Sequence, residues 1–208
     1  MNQLRTRIKF CGITRAEDAQ AAAALGVDAL GFIFVPGSPR CMTLDAAVAI
    51  RRRLPPLLSV VTLLRNPDSD EVWETIDAMQ PHLLQFHGEE TPEFCLQFGI
   101  MTMKAFRIEN AVSLLPITAY FTDAFLLDSH VKGELGGTGE TFNWDLAVEA
   151  KKFGKPIFLA GGLTLQNVAD AVRRVAPLGV DVSSGVEKSR GIKDVKKMQD
   201  FVAAVRGA

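Results

Sequence analysis

Cysteine is scarce in this chain. Cys11, Cys41 and Cys95 are all it has, an odd number at no metal-ligand spacing. The default that follows is a soluble cytoplasmic protein with reduced thiols. Neither sign of charge is in excess: 23 Lys and Arg stand against 24 Asp and Glu, a net of -1. That balance offers no electrostatic case for nucleic acid or an anionic membrane as partner. No apolar run approaches the roughly 18 residues of a transmembrane helix. The first seven residues carry charge with no apolar stretch behind them, so no signal peptide is expected. Pro/Ser linkers, charge blocks and low-complexity tracts are missing as well, which favours one domain over residues 1–208. The dinucleotide fingerprint G-x-G-x-x-G is absent from the first strand-to-helix turn, where Cys11-Gly12-Ile13-Thr14 stands instead.

What the chain does have is a repeat of pattern. Short apolar runs ending in Gly, Asn, Asp or Ser alternate with stretches of helical period. The runs are Arg7 to Cys11, Ala29 to Phe34, Leu58 to Leu64, Leu83 to His87, Met101 to Ile108, Ala124 to Asp128, Pro156 to Ala160 and Val180 to Ser183. Helices are expected from Arg15 to Leu25 with Thr14 as cap, Thr43 to Arg53, Asp70 to Met79, and from a Thr91-Pro92-Glu93 opening. Later ones are a weak helix over Ala111 to Leu115, then Trp144 to Phe153, Leu165 to Val175 and Lys193 to Val205. Eight such units predict an α/β fold, a single closed (β/α)₈ TIM barrel, somewhat smaller than the usual ~250 residues. An open doubly wound sheet is the alternative, though it needs a topological switch point and usually has fewer strands.

In a parallel α/β protein, chemistry sits at the carboxyl ends of the strands. Cys11, His87 and Asp128 end the first, fourth and sixth runs, and Arg40 follows the second in Gly37-Ser38-Pro39-Arg40. Gly161-Gly162 and Ser184-Gly185 follow the seventh and eighth, where barrels of this kind often hold a phosphate against a short extra helix. Arg40 offers a guanidinium suited to a carboxylate; the plainer reading is a surface arginine on a turn. Cys11 reads equally as a small buried hydrophobe. Period-2 alternation turns Lys9 inward with Cys11 and puts Asp181 and Ser183 on one face of the last strand. Closure then pairs Lys9 with Asp181 beneath Cys11, since a buried charge needs a partner. A thiol and a carboxyl across the mouth can serve as base and acid once their pKa values are tuned, with Lys9 favouring thiolate. His87 is a rival base or a hydrogen-bonded residue lining the mouth.

Several stretches together carry a resemblance. Lys9-Phe-Cys-Gly-Ile-Thr-Arg15, Gly31-Phe-Ile-Phe34, Ser38-Pro-Arg40, Gln85-Phe-His-Gly88 and Leu127-Asp128 form its first half. Gly136-Gly-Thr-Gly-Glu-Thr-Phe142, Leu159-Ala-Gly-Gly-Leu163 and Val180-Asp-Val-Ser-Ser-Gly-Val-Glu187 complete it. In this order they resemble the phosphoribosylanthranilate isomerases. The resemblance implies a barrel that carries out an Amadori rearrangement in tryptophan biosynthesis, with no cofactor and no metal. Its substrate would be a small molecule, phosphoribosylanthranilate. It implies that Asp128 is the general acid, Cys11 the general base, and Arg40 the holder of the anthranilate carboxylate. Gly161, Gly162, Ser184 and Gly185 would cradle the phosphate, under a cover formed by the loop around Gly137. Two departures, Leu63-Leu64-Arg65-Asn66 and Met42 after Cys41, touch neither acid nor base. Rival readings are a related isomerase of histidine biosynthesis, against which Cys11 and Ser38-Pro39-Arg40 argue, and a barrel that binds a phosphorylated ligand without turnover. Monomer or dimer is not legible.

Overall fold

The structure is a computed structural model that describes residues 5–129 and 143–208. Eight parallel strands close into a barrel in sequence order, β8 pairing back to β1. The first half runs β1 (Arg7–Cys11), α1 (Ala16–Ala24), β2 (Ala29–Ile33), α2 (Leu44–Arg51), β3 (Ser59–Leu64), α3 (Ser69–Met79), β4 (Leu83–Phe86) and α4 (Pro92–Leu96). The second half runs β5 (Thr102–Ile108), a 3₁₀ helix (Ala111–Ala119), β6 (Ala124–Ser129), α5 (Trp144–Ala150), β7 (Ile157–Leu159), α6 (Val168–Val175) and β8 (Gly179–Val182). A 3₁₀ turn at Ser184–Val186, a short hairpin β9 (Glu187–Ser189) and β10 (Ile192–Lys193), and α7 (Val195–Arg206) follow. The expected closed barrel is therefore the observed one, and no open sheet is formed.

The strands carry apolar residues on both faces because both are covered. Every residue of β2 is buried. Outward residues such as Phe10, Leu30, Phe32 and Leu127 pack under the helices, while inward Met103, Ala105, Ala124, Leu126 and Ala160 fill the barrel with Phe158. Gly179 is a glycine for a steric reason: a Cβ there would lie 2.5 Å from the Phe158 ring. Helix starts follow their caps, with Thr43 accepting from Ala46, Thr91 from Phe94, and Asp68 and Glu71 closing a capping box on α3.

Four expectations are corrected. Thr14 does not cap α1; Arg15 holds that position without a side-chain bond, and the Thr14 hydroxyl donates to Gly191 O in the hairpin instead. The fifth connection is a 3₁₀ helix because Pro116 lies inside it, removing a donor and crowding the preceding turn. The helix expected from Leu165 starts at Val168, since Asn167 folds back, accepting from Thr164 N and donating to Gly162 O. Helical period foresaw no β9–β10 hairpin, and α7 accordingly begins at Val195 rather than Lys193. Gly137 lies outside the described residues. Among those that are described, no helix is long and apolar enough to cross a membrane.

Candidate active site

Cys11 ends β1 with its side chain inward, packed against Ile33, Val35 and Leu63 and 5% exposed. Directly beneath it, Lys9 donates to Asp181 Oδ1 at 2.9 Å, as the alternation and closure predicted. Both partners are buried. Burial works to lower the Lys9 pKa, but the charge and hydrogen bond of Asp181 lead the influences that outweigh it and hold the ammonium above its ordinary range. For Cys11 the balance falls the other way. Burial raises the thiol above its ordinary value, and the pull of Lys9 and Lys193 towards thiolate does not offset it. Lys9 does favour thiolate, as expected, yet desolvation wins, so the resting group is a thiol.

Gly31, beside Cys11 in register on β2, makes room for this arrangement. A Cβ there would stand 2.8 Å from Cys11 Sγ and 3.0 Å from Lys9 Nζ. Gly31→Ala is expected to cost about 1–3 kcal/mol by overpacking. Thermal unfolding checks it; a variant with the wild-type midpoint would show that the slot beside Cys11 and Lys9 is not tightly filled.

Asp128 projects from β6 into the mouth and meets His87, Nε2 lying 3.2 Å from Oδ2. Below His87, fully buried Gln85 places its Nε2 3.1 Å from the ring Nδ1. The two ring nitrogens thus face different partners, Nδ1 the Gln85 amide and Nε2 the Asp128 carboxyl. His87 and Asp128 stand together on one side of the mouth.

Arg40 is not a solvated surface cation. It is 8% exposed, and its Nε and Nη2 each donate at 2.7 Å to the two oxygens of Glu187. That fork leaves the Nη1 edge outside the pair. Hydrogen bonding to Glu187 outweighs burial and holds the guanidinium pKa above its usual value. Burial pushes the Glu187 carboxyl up, but Arg40 and Lys193 overcome it and keep the group below its ordinary range. Lys193, on β10, donates to Cys11 O at 2.6 Å, Ser183 O at 3.1 Å and Glu187 Oε1 at 3.0 Å. It therefore ties the ends of β1 and β8 to the hairpin; its own burial prevails over Glu187 and lowers its pKa. Gly12, with φ +72°, leaves the groove in which Arg40 lies: a Cβ would sit 2.4 Å from Arg40 Cδ.

On the other arc of the mouth, Gly161 and Gly162 follow β7 with φ of +75° and +65°. The short helix expected after β8 is the 3₁₀ turn that opens at Ser184. Gly185 is packed so closely on the Leu163 carbonyl that a Cβ would lie 2.1 Å from its oxygen. Among the described residues, the N–H groups of Gly161, Gly162, Ser184 and Gly185 find no protein acceptor. Backbone donors at a helix start and in tight turns suit an anion.

Sequence reasoning missed Glu187, Lys193 and Gln85 as parts of the site. Glu187 and Gln85 stand inside stretches that carried the resemblance, but a motif does not say which side chain meets which. Lys193 carried no signal, because nothing local announced the hairpin that delivers it. Of the remaining thiols, Cys41 is exposed, and burial pushes Cys95 up to about 12.

The comparisons agree with this geometry. The profile of the PRAI family, N-(5'-phosphoribosyl)anthranilate (PRA) isomerase, matches residues 8–204. An N-(5'-phosphoribosyl)anthranilate isomerase of Pseudomonas syringae pv. syringae (strain B728a) is 48% identical over 203 residues, covering 97% of this chain and 98% of that protein. The crystal structure of phosphoribosyl anthranilate isomerase from Thermotoga maritima superposes with a TM-score of 0.92 at 33% identity, covering 98% of this chain and 100% of the other. A phosphoribosyl anthranilate isomerase in complex with reduced 1-(o-carboxyphenylamino)-1-deoxyribulose 5-phosphate matches with a TM-score of 0.89 at 32% identity, over 98% of this chain and 100% of that one. A barrel whose strand ends carry this thiol, carboxyl and pair of glycine turns, matched over nearly its whole length, belongs to the N-(5'-phosphoribosyl)anthranilate isomerases of tryptophan biosynthesis.

Proposed function

We propose that this chain isomerises phosphoribosylanthranilate with Asp128 as general acid and Cys11 as general base, in one cytoplasmic (β/α)₈ domain that needs no cofactor. The observation that carries the reading is the placement of Cys11 and Asp128 on strands β1 and β6 of one closed barrel, both inward and both at the carboxyl end. Asp128 protonates the ribose ring oxygen; the C1′–O bond breaks, and the anilino nitrogen lone pair forms the C1′=N iminium. The Cys11 thiolate then takes the C2′ proton. The C2′–H electrons become the C1′=C2′ bond of an enolamine and the iminium is neutralised. Loss of the C2′ hydroxyl proton with protonation at C1′ yields the ketone.

Substrate polarity fits the mouth. The phosphate belongs to the N–H groups around Gly161, Gly162, Ser184 and Gly185. The anthranilate carboxylate belongs to Arg40, whose Nη1 edge lies outside the Glu187 fork. His87, with its Nε2 3.2 Å from Asp128 Oδ2, lies beside the carboxylate that Asp128 becomes once it has given up its proton.

The test is loss of phosphoribosylanthranilate fluorescence on mixing with purified protein, before and after dialysis against EDTA. Turnover that persists unchanged after dialysis is expected. A folded wild type without turnover would favour a binding barrel, and activity lost with the metal would overturn the acid–base scheme.

A further inference from the structure

We propose that the buried Glu90–Lys104 ion pair is a positioning device for His87 and, through it, for Asp128; it rests on the reading of Asp128 as the acid. The pair lies outside the barrel wall, since Lys104 alternates on β5 with inward Met103 and Ala105. Its side chains are 1% and 3% exposed, the ammonium standing 3.0 Å from Glu90 Oε2. All three ammonium donors are used: Gly88 O at 2.6 Å, Glu90 Oε2 at 3.0 Å and Ala105 O at 3.3 Å. The rings of Phe106 and Tyr120 flank the charge, their centroids 5.7 and 5.8 Å away.

The direction of the remaining bonds says what the pair is for. Glu90 accepts from Gly88 N at 3.1 and 3.0 Å and from Asn66 N at 2.8 Å. Together with Lys104 on Gly88 O, this holds the two peptide groups that follow His87. Asn66, at φ +49°, adds its Oδ1 to Glu89 N at 2.6 Å, and Gly88 fits so tightly that a Cβ would sit 2.0 Å from that oxygen. A buried ion pair stabilises poorly compared with apolar residues of the same shape. Here its hydrogen bonds converge on the main chain beside one side chain of the mouth. Held from behind at Gly88 and from below by Gln85, the His87 ring keeps its Nε2 on Asp128.

Kinetics of Glu90→Gln, in the wild-type and His87→Asn backgrounds, test the proposal. Glu90→Gln is near-isosteric but removes one of the acceptor oxygens. In the wild-type background kcat should fall between about tenfold and a hundredfold, the range for a sub-ångström to 1 Å misplacement, with KM within twofold. In the His87→Asn background the same substitution should change kcat less than twofold. Equal losses in both backgrounds, or no loss in the wild-type background, overturn the positioning role. Should Glu90→Gln not fold, Asn66→Gly takes its place: it is exposed, keeps the positive φ and deletes the Glu89 bracket. It is expected to lower kcat about threefold, and only while His87 is present. Failure of the underlying reading looks different, because then Asp128→Asn itself would retain wild-type kcat.

Discussion

Asp128→Asn is expected to lower kcat about a thousandfold or more, within the range ascribed to a positioned general acid, with KM changed less than threefold. The carboxamide keeps the shape of the side chain beside His87 Nε2, so the fold and that contact should survive. What is lost is the proton delivered to the ring oxygen. KM should stay because the proposal assigns both anionic ends of the substrate to other groups, Arg40 and the glycine turns. Cys11→Ser should match it in size for a different reason, because a hydroxyl does not ionise at any pH the fold withstands. The two variants separate by pH. With the thiol pushed up by burial, the reactive thiolate is the minor form at neutrality. In Asp128→Asn, where loss of a protonated acid no longer cancels the gain in thiolate, the residual rate should therefore climb about tenfold per pH unit into the alkaline range, and Cys11→Ser should show no such slope. More than a third of wild-type kcat in Asp128→Asn would remove it from the acid role. A flat Asp128→Asn profile from neutral to alkaline pH would remove Cys11 from the base role.

Lys9→Met is expected to destabilise the protein by about 3–5 kcal/mol, because Asp181 is then left charged and unpaired inside the barrel. Against a total stability of about 5–15 kcal/mol this is severe. Lys9 is held above its ordinary pKa in the fold. Its contribution is therefore complete below that ordinary value and fades as pH rises through the raised one. Wild type and variant should converge in denaturant midpoint only in strong alkali. Replacing Asp181 by Leu as well should restore much of the stability. Activity should not return, since Cys11 has lost the nearest charge favouring its thiolate and titrates still higher. If the double variant regained both stability and turnover, the pair would be structural only.

The barrel was legible because period-2 alternation and helical period are local properties of the chain. From them and from closure alone came Lys9 with Asp181, partners 172 residues apart. Legible too were the strand ends carrying Cys11, Asp128 and the glycine turns, since the chemistry of a parallel sheet collects there. The failures also have local causes. Thr14 is a good cap by residue type, but the hairpin offered it the Gly191 carbonyl. Arg40 reads as a loop cation until β9 brings Glu187 under it.

By itself the sequence determined the architecture, the strand ends that carry Cys11 and Asp128, and the pairing at the barrel floor, because each follows from short-range pattern plus one closure. Only the tertiary structure decided the charge state of Cys11, the Glu187 fork on Arg40, the Lys193 tie and the Glu90–Lys104 brace behind His87. Those depend on desolvation and on contacts between distant segments, and no spacing along a chain encodes how deeply a group is buried or which distant charge it meets.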